Sequence, residues 1–132
     1  MTVNLTANLS HPYATAYALA QRLMDGARRD GGATLDPSTG VAPADGYMVG
    51  IAGRGTVLHD LGSTATAAAW VARTLTELAP GECLGSWLDD GLIYLDVSVN
   101  VDDLETAATL ARETGELAIW DVTAGAEIST VA

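Results

Sequence analysis

The sequence has no lysine, no phenylalanine and only one cysteine, Cys83. A lone cysteine cannot form an internal disulfide, so nothing in the chain points to an oxidising compartment. No segment approaches the roughly 20 apolar residues of a membrane-spanning helix. The first residues also lack the basic and apolar regions of a signal peptide. These absences predict a cytoplasmic protein that makes no contact with a membrane.

Acidic side chains dominate the charge of the chain. There are 17 Asp and Glu residues against 6 arginines, which gives a formal charge of −11. DNA and anionic membranes are bound mainly through lysine and arginine, so we expect no direct binding of nucleic acid. The segment 82–132 holds eleven acids and one arginine. This concentration of charge predicts a partner protein with a basic surface.

The chain of 132 residues has the length of one domain. Residues 1–10 predict a flexible polar lead-in, and residues 11–132 predict a single α+β domain. Apolar residues at helical spacing indicate about three helices. They are expected to begin at Ser10, at Ser63 or Thr64, and at Asp102 or Asp103. Hairpin strands between the helices predict an antiparallel or mixed sheet with the helices packed on one face.

Period-two alternation marks the clearest strand. Aliphatic residues at 93, 95, 97, 99 and 101 alternate with Tyr94, Asp96, Ser98 and Asn100. Leu84–Leu88 is the expected partner, joined through a turn at Asp89-Asp90-Gly91. A second hairpin is predicted from Tyr47–Ala52 and Thr56–Asp60. Residues 127–130 form an expected edge strand, and an exposed edge can pair with a second copy to give a homodimer.

Patterns for catalysis and metal binding are scarce. Cys83 opens a strand and is expected to be buried. His59 and Asp60 are neighbours on a strand, so their side chains point to opposite faces. One cysteine and two distant histidines, His11 and His59, give no zinc spacing. We therefore expect a protein that is not an enzyme and has neither metal nor cofactor.

A binding surface is the remaining possibility. Tyr94, Asp96, Ser98 and Asn100 share the strand face opposite the aliphatic one, which is expected to be open to solvent. Trp87 and Trp120 are expected in the core, because a chain without phenylalanine needs its tryptophans there. Several acids are not explained by helix caps or turns and would add to the surface if the fold gathers them. The candidate binding residues are Tyr94, Asp96, Ser98, Asn100, Glu105, Glu113, Glu116, Asp121 and Glu127.

Short motifs between residues 31 and 128 carry a family resemblance. The motifs are Gly31-Gly32-Ala33-Thr34, Pro37-Ser38-Thr39-Gly40, Gly46-Tyr47-Met48-Val49, Gly85-Ser86-Trp87, Tyr94-Leu95-Asp96-Val97-Ser98, Ala118-Ile119-Trp120-Asp121 and Gly125-Ala126-Glu127-Ile128. Together they resemble a family of small accessory proteins of phages and conjugative elements, in which Phe often stands where this chain has Trp120. The resemblance implies a protein that blocks a host system, and it carries over no catalytic residue.

Three functions are consistent with these observations. The favoured one is a non-enzymatic acidic accessory protein that binds and inhibits or redirects a host protein in the cytoplasm of the host cell. A defence protein or a nucleic-acid-binding protein would be such a target, and mimicry of DNA would be one mode of binding. The alternatives are a structural component of a virion or of DNA delivery, and a small enzyme that uses Cys83 or His59.

Overall fold

The computed structural model describes residues 2–59 and 63–131, with side chains from residue 15 onward. Within this part the elements follow the order α1 Thr2–Asp30, β1 Gly32–Leu35, β2 Tyr47–Gly50, β3 Thr56–Leu58, α2 Thr64–Leu75, β4 Glu82–Asp89, β5 Leu92–Val101, α3 Leu104–Thr114, β6 Ala118–Asp121 and β7 Ala126–Ser129. None of the helices in these ranges combines the length and apolar composition needed to cross a membrane.

The seven strands form one antiparallel sheet in the order β1-β4-β5-β2-β6-β7, with β3 also paired to β5. The ten-residue strand β5 lies at the centre, and β4 pairs with eight of its residues. On its other side, β3 pairs with the first half of β5 and β2 with the second half. The predicted α+β single domain is confirmed, and β7 is an edge strand as expected.

The predicted hairpin between Tyr47–Ala52 and Thr56–Asp60 is wrong. The two strands β2 and β3 lie one after the other along the same side of β5 and do not pair with each other. The connection between them stays close to β5, since the N–H of Ile51 donates to the carbonyl of Val97 at 2.9 Å. Strands of four and three residues fit end to end along a partner of ten, so β5 provides backbone hydrogen bonds to both β2 and β3.

The hairpin of β4 and β5 forms as predicted and fixes its own register. Asp90 and Gly91 have φ angles of 50° and 77°, which is the geometry of a two-residue type I′ turn. Asp89 therefore pairs with Leu92, and counting back along both strands places Trp87 opposite Tyr94. This register decides which side chains share a face of the sheet.

Side-chain caps begin two of the helices where the sequence indicates. Ser63 Oγ accepts the N–H of Thr66 at 3.0 Å at the start of α2. Asp103 Oδ2 accepts the N–H of Thr106 at 2.8 Å at the start of α3. Helix α1 begins at Thr2 and not beside Ser10, so residues 2–10 of the predicted lead-in belong to its first part, whose side chains lie outside the described set.

The core lies between the sheet and the three helices, which all pack on one face. Helices α1 and α2 cover β1, β4 and the first half of β5 with a buried aliphatic cluster that includes Leu23, Leu84 and Leu95. Helix α3 covers β2 and β6 through Ala107 and Ala111. Deep burial of aliphatic side chains on this one face provides the main stabilisation of the fold.

Trp87 and Trp120 do not fill the core, contrary to the expectation from the sequence. Their side chains are 42% and 46% exposed. Trp87 is opposite Tyr94, and Trp120 is opposite Met48, on the sheet face that the helices leave uncovered. The described core instead contains Trp70 of α2 and many aliphatic side chains.

Candidate binding surface on the sheet

The sheet face opposite the helices carries Trp87 and Trp120, two of the three exposed aromatic side chains among the described residues. Residues that are directly paired in an antiparallel sheet project to the same side. The pairings therefore group Met48, Trp87, Tyr94, Asp96, Ser98, Asn100, Trp120 and Glu127 on this side. We call this set the helix-free face.

A stacked aromatic pair stands at the middle of the helix-free face. The rings of Trp87 and Tyr94 lie with their centroids 4.2 Å apart and their planes 13° from parallel. The stacking places one ring against the other, while Trp87 remains substantially exposed. Trp and Tyr side chains are enriched among the residues that dominate binding energy in interfaces.

An apolar groove runs between the two exposed tryptophans. It has a volume of about 490 Å³ and is lined chiefly by Trp87, Trp120, Met48, Pro43 and Thr34. We call it the tryptophan groove. Its walls come from the four strands β1, β2, β4 and β6 and from the loop before β2, so its shape depends on the order of strands in the sheet.

A second cavity contacts the same aromatic pair and contains two carboxyl groups. It has a volume of about 410 Å³, and its lining residues include Trp87, Tyr94, Asp96, Glu116 and residues 50–53 and 55–57. We call it the carboxyl pocket. Asp96 is half-buried on β5, and Glu116 follows α3, so the pocket brings together acids that are distant in sequence.

Two glycines make room for these carboxyl groups. A Cβ atom at Gly85 would overlap Oδ1 of Asp96, and one at Gly50 would overlap Oε1 of Glu116. Neither glycine has a positive φ angle, so their role here is close approach and not a special backbone conformation.

Asp96 is held in an environment that disfavours its charge. Burial raises the pKa of its carboxyl above the ordinary value of 3.8, the negative charge of Glu116 raises it further, and a hydrogen bond from Trp87 opposes the shift. Among the side chains that the structure describes, neither Asp96 nor Glu116 forms an ion pair; Arg54 instead pairs with Glu82 at 2.8 Å. The pocket therefore holds two neighbouring carboxyls without a cation from the described part of the chain.

The helix-free face is less open than the sequence predicts, because the segment 36–46 lies against part of it. The amide of Asn100 donates to the carbonyl of Asp45 at 3.0 Å, which anchors this segment. Ser98 and Cys83, paired with each other on the same face, are only 8% and 1% exposed. Ser98 is thus buried and Asn100 anchors a loop, while Tyr94 and Asp96 line the carboxyl pocket.

The other candidate acids are spread over different surfaces. Glu127 is exposed on β7, opposite Trp120, and belongs to the helix-free face. Asp121 is opposite Tyr47 on the helix side, where its Oδ1 accepts the N–H of Ala124 at 3.1 Å and closes a turn. Glu105 and Glu113 are exposed on α3 and border a separate cavity. The fold therefore does not gather the predicted acids into one row.

The candidate nucleophiles differ from the binding residues in their surroundings. Cys83 is buried as predicted, and burial, with the nearby charge of Asp36, raises the pKa of its thiol to about 11. A protonated, inaccessible thiol is a poor nucleophile. His59 is exposed, while Asp60 and the side chain of His11 lie outside the described residues. In the described part of the chain, no group of three or more His, Cys, Asp and Glu residues could hold a metal ion.

Three residues of this surface, Trp87, Trp120 and Met48, were not predicted from the sequence. For Trp87 a usable signal exists, because a two-residue Asp90-Gly91 turn fixes the register that places it beside Tyr94. For Trp120 and Met48 no local signal exists, since their positions depend on the pairing of β2 with β6.

In comparisons with known proteins, no family model, no curated protein and no solved structure matches the chain.

Proposed function

We propose that this chain is a non-enzymatic binding protein that docks on a partner protein through its helix-free face. The observation that carries the proposal is the pair of exposed tryptophans on a sheet face that no described helix covers. In line with the sequence, the partner is a host protein with a basic surface in the cytoplasm, and docking inhibits or redirects it.

The aromatic surface supports docking in energetic terms. Interface hot spots are enriched in Trp and Tyr that sit centrally and lose water on binding. Trp87, Tyr94 and Trp120 lie on one side of the sheet, and the tryptophan groove between the two indoles offers an apolar recess for a partner side chain. Exposed apolar patches with polar residues around them are typical of interaction sites.

The charge supports a basic partner. Asp96, Glu116 and Glu127 accompany the aromatic residues, and the whole chain carries a formal charge of −11. Complementary charge speeds association and excludes acidic partners. Asp96 and Glu116 lie together in one pocket and Glu127 lies at the sheet edge, so these acids do not form a regular row. This arrangement favours recognition of a protein surface over mimicry of DNA phosphates.

The enzymatic alternative receives less support. The pKa of the Cys83 thiol is raised to about 11, which leaves it protonated at neutral pH. His59 lies outside the two cavities that the helix-free face forms.

The pairing of two copies through β7 stays a prediction, and sedimentation velocity at increasing protein concentration tests it.

The experiment is affinity capture from host cells with three forms of the protein as bait. The first is the wild type, the second is Trp87→Ala with Trp120→Ala, and the third is Leu104→Ala with Leu117→Ala. The last variant is a matched control, because it removes two large exposed apolar side chains outside the helix-free face. Circular dichroism first verifies that all three forms are folded.

We expect one partner to be recovered by the wild type and by the leucine variant and lost with the tryptophan variant. The identified partner is then purified and its binding measured directly. Recovery of the same partner by the folded tryptophan variant would contradict docking through the helix-free face.

A further inference from the structure

We propose that the carboxyl pocket receives the guanidinium group of an arginine side chain of the partner protein. This inference rests on the proposed function and specifies its chemistry. Trp87 is a lining residue of both the carboxyl pocket and the tryptophan groove. A partner segment that places an apolar side chain in the groove and an arginine in the pocket would use both.

The walls of the pocket match a flat cation. The stacked rings of Trp87 and Tyr94 present aromatic surface to the cavity. A guanidinium is planar and weakly hydrated, so it packs against aromatic rings better than the compact, strongly hydrated ammonium of lysine.

The two carboxyl groups supply the matching acceptors. An arginine offers five N–H donors in a fixed fork, and carboxylates accept them in bidentate geometry. Asp96 and Glu116 come from different elements and reach the same cavity over Gly85 and Gly50. Substitution of either glycine would push a carboxyl group away, so the sequence keeps space for both.

The electrostatics give a reason for a cation to enter. Two neighbouring carboxyls repel each other, and the charge of Glu116 contributes to the raised pKa of Asp96. A cation between them removes this repulsion. The described arginines that form ion pairs use other acids, with Arg54 bound to Glu82 and Arg28 bound to Asp25.

The size of the cavity agrees with one side chain and some water. Its volume of about 410 Å³ lies at the lower end of the roughly 300–1,000 Å³ found for ligand pockets. Three of its lining residues are glycines, Gly50, Gly53 and Gly55, which have no side chains to occupy the cavity.

The test is a titration of the ¹⁵N-labelled whole protein with N-acetyl-arginine amide, followed by NMR. The chain has three tryptophans, so the spectrum contains three indole N–H signals, which Trp→Phe variants assign. Because Trp87 and Asp96 both line the carboxyl pocket, the indole signal of Trp87 reports on the pocket. N-acetyl-citrulline amide is the matched probe, with the same shape and no charge, and N-acetyl-lysine amide tests the preference for a guanidinium.

We expect the Trp87 signal to shift and saturate with the arginine probe, to shift less with the lysine probe and to stay unchanged with the citrulline probe. Asp96→Asn and Glu116→Gln should each raise the Kd of the arginine probe by about tenfold or more, in line with the loss of a charge-assisted hydrogen bond. Glu113→Gln, an exposed acid on α3, should leave it unchanged.

Two results would overturn the inference. One is an equal Trp87 response to the citrulline or the lysine probe, and the other is an undiminished response in both pocket variants. The titration uses no partner protein, so its failure is distinct from a failure of the capture experiment. If capture depends on the tryptophans and the arginine probe has no effect, docking stands without the arginine.

Discussion

At the scale of single residues, Asp96 is where the requirements of binding and stability conflict most clearly. Its carboxyl is half-buried beside Glu116 and carries a raised pKa. A carboxyl with a raised pKa in the folded state stabilises the fold below its ordinary pKa and loses that contribution as the pH rises through the raised value. At neutral pH the charged Asp96 therefore lowers the stability of the protein without a ligand.

Asp96→Asn should consequently raise the melting temperature at pH 7. The amide keeps the shape and can still accept the indole hydrogen bond, but it avoids the buried charge. The gain should shrink as the pH falls through the raised pKa of Asp96, because the wild-type carboxyl is then protonated. Melting curves by circular dichroism measure the difference in melting temperature between the two proteins. They are recorded from about pH 3 to about pH 8, a range that covers the titration of carboxyl groups. A lower melting temperature at pH 7 would contradict the account of the pocket.

Cys83 provides a second test at this scale. Burial and a thiol pKa of about 11 predict slow modification by a thiol reagent in the native protein at pH 8 and rapid modification in denaturant. Ellman's reagent measures both rates. A native rate close to that of the unfolded chain would show an accessible thiolate and would revive the enzymatic alternative.

At the scale of elements, the hairpin of β4 and β5 shows what the sequence can determine. Alternation over 92–101 and the Asp90-Gly91 turn are local signals, and together they predict the strands and their register. The relation of β2 to β3 is different, because two short strands can pair with each other or with a longer third strand, and no residue between Gly50 and Thr56 distinguishes these outcomes. The positions of Trp120 and Met48 depend on the same long-range choice.

The turn carries a prediction of its own. Gly91 has a φ angle of 77°, so Gly91→Ala should destabilise the protein by about 1–2 kcal/mol, the cost of a left-handed conformation for an L-residue. Urea unfolding measures the difference in the free energy of unfolding. Asp89→Ala, exposed on the neighbouring regular strand, is the control and should change it by less than about 0.5 kcal/mol. Equal effects of the two substitutions would contradict the type I′ geometry.

At the scale of the whole molecule, the fold separates charges that the sequence groups together. The candidate acids of the segment 82–132 divide among the carboxyl pocket, the β7 edge, the turn at Asp121 and the outer surface of α3. Net charge and its bias along the chain were readable from the sequence, but their distribution in space required the sheet order. The acidic half is therefore several surfaces, and the one with exposed tryptophans is the candidate site.

The overall charge predicts how partner binding depends on salt. Association with a basic surface should become slower as ionic strength rises from about 0.05 to 0.5 M, since the screening length falls well below about 10 Å over that range. Surface plasmon resonance with the captured partner measures the rate. A rate that is independent of salt would contradict a basic partner, although docking through the tryptophans would still stand.

Docking through the helix-free face is the central claim, and the affinity of the purified partner for the Trp87→Ala variant tests it most directly. Calorimetric titration should show a loss of at least about 2 kcal/mol relative to the wild type, as expected for a central aromatic anchor, which is roughly a thirtyfold rise in Kd. Leu104→Ala, which removes an exposed apolar side chain on α3, should leave Kd within about twofold of the wild type. Unchanged affinity of the folded Trp87→Ala variant, or an equal loss in Leu104→Ala, would contradict the account.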